Sequence, residues 1–270
     1  MYSGFVTQTK VIKRAGIHQR LDMAAYQMIS PYLPKDFPSS KSIVAFEGYY
    51  GPDGLKVKNP KEAVLSHLYD PATETGGVLT HIENHYARLV ECLKTGDKIR
   101  AAFEASWMAH FIGDGLTPAH HWPLEDKLAE AKEIAAVESM DAKDFARFKA
   151  SAKKHWAVWG TKGHYTTHFN FEVGVAFALI IFPIKCSFED SELAHARSVG
   201  AINYFKEKAN HVADMGLYER FYKEGWNNKI ASVVKNEIAP VTSATIGYIW
   251  LLAVLEAGQD IAITSNTKDK

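Results

Sequence analysis

Cysteine is almost missing from this chain. Cys92 and Cys186 are too few to build a disulfide framework, and neither has a second Cys or His at the short spacing of a zinc-ligand pair. Both lie in apolar helical patterns and read as buried free thiols. A charge excess is missing too: Lys plus Arg and Asp plus Glu each total 31, so the formal net charge is zero. That balance lacks the basic footprint of a nucleic-acid binder, so no specific nucleic-acid partner is expected. Long hydrophobic runs are absent. "VGVAFALIIFPI" (Val173 to Ile184) and "IGYIWLLAVL" are too short to span a bilayer, so both read as buried core helices and no transmembrane segment is expected. The first twenty residues turn basic without a long apolar stretch, which is not a secretory signal as written. A cytoplasmic protein is expected if Met1 is the native start, and a secreted one if a signal peptide has been removed.

Strand patterning is also lacking. No segment alternates over five or more residues, and no internal repeat or low-complexity linker appears. What remains is helical periodicity. "HQRLDMAAYQMISPYLP" predicts a first helix stopped by Pro31 and Pro34. Residues 35–77, rich in Gly, Pro, Asp and Ser, predict a long structured loop, and a loop of that length usually has a function. "GGVLTHIENHYARLVECLKTG" and "GDKIRAAFEASWMAHFIGD" predict two more helices, the latter ended by Gly113, Gly115 and Pro118. Further helical patterns run near 124–138, 142–158, 164–181, 189–215, 218–236 and 241–258. The fold expected is all-α, a single domain over 1–270 with eight to ten helices.

Histidine is plentiful, and its placement carries the chemistry. In "HFIGDGLTPAHH", His110 and Asp114 are four apart, so a helix puts them on one face with Cβ atoms about 6 Å apart. An imidazole nitrogen and a carboxylate oxygen at that spacing suit one metal ion. The chain then turns through Gly115 and Pro118 and presents His120. "HYTTHFNFEVG" repeats the spacing with His168 and Glu172, leading into a strongly apolar helix. Burying an ionisable pair unpaired is costly, and a metal supplies a reason for it. His18 opens the first helix, and His67 sits in "SHLYDP" at the end of the long loop. Other histidines are set aside. His121 points away from His120, His164 stays in reserve, and His155, His195 and His211 lie on polar stretches. His81 and His85 form an HxxxH pair that can bind zinc by itself, yet they read as helix-surface or cleft-rim residues. Trp156, Trp159 and Tyr165 read as core.

Taken together, these motifs resemble the zinc-dependent phospholipase C family, part of a superfamily shared with single-strand nucleases. "HFIGDGLTPAH" is similar to its signature, "SHLYDPATETGG" to a stretch of bacterial phospholipases C, and "HFNFE" to its later His–Glu pair. The motifs stand in family order from about residue 18 to 172. The resemblance implies an all-α bundle with a cluster of two or three zinc ions in a cleft. His67, His110 and Asp114 would hold the first ion, with Asp114 bridging to another. His120, His168 and Glu172 would hold a second, and His18 would belong to a third. A loop carboxylate before "SHLYDP" would complete the first site and act as general base; Asp53 in "YYGPDG" is the candidate, with Glu47 as the alternative. Asp70 or Glu125 would support a zinc-bound histidine from behind.

The chain departs from the family in two places. Secreted members ligate the third zinc with an N-terminal Trp, whereas residue 1 here is Met and no Trp precedes Trp107. Gly54 and Val64 stand where choline-selective members carry aromatic residues, so a choline cage is not expected. The activity implied is hydrolysis of a phosphodiester, such as a phospholipid, by a zinc-activated water, with transient membrane-surface contact. A single-strand nuclease or nucleotidase of the same fold is the alternative enzyme. A non-catalytic, zinc-stabilised helical protein is the alternative outside enzymes.

Overall fold

A computed structural model describes residues 15–48, 51–54, 66–121, 164–180 and 182–262. Helix takes 73% of these residues and no strand forms among them, so the all-α expectation holds at that level. The helices, in chain order, are α1 (Ile17–Ile29), α2 (Ser40–Val44), α3 (Gly77–Thr95), α4 (Lys98–Gly115) and α5 (His164–Ile180). They are followed by α6 (Asp190–Val199), α7 (Ala201–Asp214), α8 (Leu217–Glu224), α9 (Asn228–Val233) and α10 (Ala239–Glu256). The helical patterns near 124–138 and 142–158, with Glu125, His155, Trp156 and Trp159, fall outside the described residues, as do Val64 and the side chains of His164 and Tyr165.

Several boundaries differ from the sequence expectation. The 189–215 pattern breaks at Gly200, whose φ of 81° ends α6 and starts α7. Gly113 does not end its helix. α4 runs on to Gly115, and its last turn is closed by Leu116 N–H to Ile112 O and Thr117 N–H to Asp114 O. Residues 35–77 contain α2, capped by Ser39. α9 passes through a π-helical turn, Val234–Ile238, into α10. Pro240 sits in the first turn of α10, and the widened turn before it accommodates the missing N–H donor.

α3 and α4 are joined by Gly96, in the left-handed conformation, and Asp97, which caps α4 through Arg100 N. So short a link makes them antiparallel neighbours. α10 is apolar around its whole circumference and lies at the centre, with α1, α3 and α4 packed on it. Its Trp250 is fully buried and donates Nε1–H to the Ala105 carbonyl. By length and composition the continuous helix Asn228–Glu256 could cross a membrane, but 78% of its apolar window is buried inside the fold. α5 is less enclosed than its composition implies. Phe171, Val175 and Leu179 face inward, whereas Phe169 and Phe177 are exposed. Cys92 and Cys186 are free thiols and only partly buried.

Candidate metal centre

α4 supplies the centre of the site. Its C-terminal half is buried on all sides, and His110 and Asp114, one turn apart, have no solvent exposure. A helix C-terminus carries partial negative charge and favours a cation beside it. α1 brings His18 to the same place from its first turn, where Gln19 caps the helix by accepting from Gly16 N–H. The His18 ring stacks on His110 at 3.9 Å. It fits there because residue 113 is glycine: a Cβ at that position would lie 2.9 Å from His18 Nδ1.

His67 arrives on a segment fixed by Gly76. At φ 131° this glycine lets the Leu68 carbonyl approach to 2.3 Å from where a Cβ would stand, and Leu68 O also accepts from Val78 N–H. A parallel bridge between Tyr69 and His121 ties the same segment to the turn Pro118–His120, which carries His120. Asp53 comes from residues 51–54, and His168 and Glu172 from α5.

These residues converge. His18, His110 and Asp114 form one group whose ligand atoms all lie within 4.8 Å of one another. Asp53, His67 and His110 form a second such group, and His120, His168 and Glu172 a third. All eight residues singled out as ligands in the sequence therefore fall in three overlapping or adjacent clusters. Asp114 is the hub. Its Oδ1 lies 3.4 Å from His18 Nε2 and 3.7 Å from His120 Nε2, and its Oδ2 lies 2.5 Å from His67 Nδ1 and 3.4 Å from His110 Nε2. Burial would raise the Asp114 carboxyl, but the rings of His120 and His110 facing it hold it well below the usual carboxylate range.

Several of these separations exceed a hydrogen bond. His110 Nε2 is buried, 3.4 Å from Asp114 and 3.8 Å from Asp53 Oδ1, and among the described residues it has no partner at hydrogen-bond geometry. Two donors bonded to one tetrahedral zinc at about 2.0–2.1 Å stand roughly 3.3 Å apart, which matches this spacing. The third group makes the same point through tautomers. His120 Nδ1–H donates to the His67 carbonyl at 2.7 Å, and His168 Nδ1–H to the Ala119 carbonyl at 3.1 Å. A carbonyl only accepts, so a neutral ring then bears its lone pair at Nε2. Both Nε2 atoms face Glu172 Oε1, at 3.2 and 3.0 Å. Burial, only partly opposed by Asp114, lowers His120 to about 4, so its ring is neutral at physiological pH. A neutral ring would aim that lone pair at a carboxylate oxygen, which is repulsive unless a proton or a metal ion sits between them.

The two loop carboxylates divide the work. Asp53 lies on the Nε2 side of His110, with its side chain 18% exposed. Glu47 lies behind the ring, buried, and accepts from His110 Nδ1–H at 3.2 Å. Burial disfavours the His110 cation, yet Glu47, Asp114 and Asp53 together raise its pKa to about 10. Behind Glu47 is a residue missed in the sequence. Asp22 is 1% exposed, and among the described residues neither of its oxygens has a hydrogen-bond partner. Burial and the nearby Glu47 charge push it well above the usual carboxylate range, against a smaller pull from His110. Its signal was present in the sequence: His18 and Asp22 are a third His–carboxylate pair at helical spacing.

Other expectations need correction. Among the described residues Asp70 bonds no histidine of the cluster; it accepts from Ala72 N–H and Thr73 Oγ1–H and closes its own turn. His121 is half-buried and donates to the Gly115 carbonyl. His85 is not a surface residue: it is 4% exposed and bonded to the buried Glu104. A search against protein-family models finds none that matches this chain, and no curated protein matches it.

Proposed function

We propose that this chain is a zinc-dependent phosphoric-ester hydrolase of the phospholipase C type, cleaving a phosphodiester by attack of water. The observation that carries the proposal is the eight-residue constellation around Asp114, in which Nε2 of His120 and Nε2 of His168 both converge on Glu172 Oε1. The donor set is nitrogen and carboxylate oxygen without sulfur, as in catalytic zinc sites. Bound zinc would supply positive charge for the phosphoryl oxygens and lower the pKa of a nearby water.

The chain's own residues would do the rest. His18, His67, His110 and Asp114 form the closed floor of the site. Asp53, His168 and Glu172 have side chains 18, 22 and 11% exposed, and so mark the side open to substrate. Asp53 is the carboxylate best placed to orient the attacking water and accept its proton, because Glu47 is held behind His110. The buried floor excludes bulk water, so charges facing the phosphoryl group act at low effective dielectric.

The test is zinc per chain, by elemental analysis of protein purified without added metal, paired with hydrolysis of a chromogenic phosphodiester. Two or three zincs with turnover abolished by Asp114→Asn is the expected result. Zinc without turnover on lipid, nucleotide or single-stranded nucleic-acid esters would assign the cluster a structural role. A folded protein that takes up no zinc would overturn the proposal.

A further inference from the structure

The HxxxH pair on α3 lies outside the cluster and has a support of its own. His81 and His85 are one turn apart, with ring planes 15° from parallel and ring centres 6.0 Å apart. His85 Nδ1 lies 2.5 Å from Glu104 Oε2, and Glu104 is fully buried. The other oxygen of Glu104 accepts from Arg100 at 2.6 Å. Glu104 is thereby clamped as a carboxylate, His85 is held as the Nδ1–H tautomer, and Nε2 is the nitrogen with a lone pair to offer. A carboxylate behind the other ring nitrogen is the usual setting of a metal-bound histidine. His81 stacks flat on Phe111, at 4.1 Å and 6°, and is partly exposed. Its burial, with the nearby His85 and His110, lowers its pKa.

We propose that His81 and His85 form a second metal site, distinct from the Asp114 cluster, that takes one divalent transition-metal ion of the zinc, nickel or copper class. Imidazole pairs favour these ions over magnesium or calcium. Two rings bonded to one zinc at about 2.0–2.1 Å have centres roughly 5–6 Å apart, so the observed 6.0 Å needs a closure of about 1 Å or less. His81, on the open side, can supply that movement, and water completes the coordination there. Phe111 touches both sites: its ring centre lies 4.1 Å from that of His81 and 5.3 Å from that of His67.

The experiment titrates the metal-free full-length protein with Zn2+ alone and counts bound ions in the wild type, His81→Ala, Asp114→Asn and the double variant. His81→Ala removes an exposed-edge ring and leaves the Glu104–His85–Arg100 network intact, so the fold is kept. It is expected to bind one ion fewer than wild type and to retain phosphodiester turnover. Asp114→Asn is expected to keep the α3 ion, and the double variant to lose it. Equal counts in wild type and His81→Ala would overturn this site and leave the cluster standing. An ion lost in His81→Ala but unaffected by Asp114→Asn, with none besides it, would keep this site and remove the cluster reading. As a second readout, Co2+ at His85 should quench Trp107, whose ring centre is 5.6 Å away, and His81→Ala should abolish that quenching. Quenching unchanged in His81→Ala would also count against the site.

Discussion

Glu47 gives the sharpest test of the cluster, because it would act on a bound metal through His110 without contacting it. Its Oε2 accepts from His110 Nδ1–H at 3.2 Å inside the protein, which fixes the ring so that Nε2 faces Asp53 and Asp114. Removing such a partner typically costs about 10–100-fold in metal affinity, or roughly 1.4–2.7 kcal/mol. The lower end is expected near neutral pH. There His110 in the metal-free protein is protonated, and Glu47 stabilises that proton as well as the ion that replaces it. Glu47→Gln keeps an acceptor but loses the charge, whereas Glu47→Leu also strands a buried donor. Glu47→Leu should therefore lose a further ~1–3 kcal/mol of metal-free stability, or about 2–4 °C in Tm for each kcal/mol in a chain of this size. Competition with a chromogenic zinc chelator measures the affinity, and thermal unfolding with excess chelator measures the stability. Unchanged zinc affinity in both variants would refute the orienting role. A kcat collapse in Glu47→Gln with zinc fully retained would transfer the proton-accepting role from Asp53 to Glu47.

The remaining predictions address other parts of the site. Asp53→Asn should lower kcat by about 10²–10⁴-fold, as expected for loss of a general base, while elemental analysis shows the protein still holding zinc at His120, His168 and Glu172. Gly113→Ala places a methyl 2.9 Å from His18 Nδ1, so zinc content and turnover should fall while circular dichroism reports an intact helix. Acidification should empty the site in order. The proton on His110 competes with metal at all pH values below about 10, whereas His120, at about 4, is uncharged until far lower pH. Zinc affinity of the His110 side should thus drop as pH falls through neutrality, while the His120–His168–Glu172 side holds its ion longer. Simultaneous loss of every ion in a pH-jump followed with a zinc dye would contradict that order.

Much of the site was legible because helices turn spacing into geometry. His110 with Asp114, and His168 with Glu172, are each one turn apart on α4 and α5, and the period alone put each pair on one face. The same rule reaches Asp22 from His18, although Asp22 sits within an ordinary amphipathic pattern that gives it no distinguishing mark of its own. Glu47 was legible as a candidate but not in its role. It follows α2 in an irregular stretch, where no periodicity says which nitrogen of a distant histidine a carboxylate will meet. Asp70 shows the opposite failure: an acid close to His67 in sequence is consumed by its own turn, bonding Ala72 and Thr73. The split at Gly200 and the extension through Gly113 differ in backbone conformation: a glycine ends a helix when its φ turns positive, as at Gly200, whereas Gly113 keeps a negative φ and its missing Cβ leaves room for His18.

The electrostatics explain why such a site is stable enough to fold before any ion arrives. Asp114 is fully buried and ionised, which is costly unless a cation lies beside it. The metal-free chain meets that need with a proton: His110 is held as a cation by Glu47, Asp114 and Asp53 against the opposing effect of burial. Asp22, pushed toward its neutral form, avoids adding another negative charge behind Glu47. A divalent ion entering this floor would have to displace the His110 proton, so uptake there would be a cation exchange and not the neutralisation of an open anionic pocket. On the other side, the His120 ring is neutral, so it presents no proton of its own to be displaced beside Glu172. The two halves of the cluster therefore differ in kind. Metal entering by His110 would have to displace a proton, and its occupancy would follow pH, whereas the neutral ring of His120 presents no such proton.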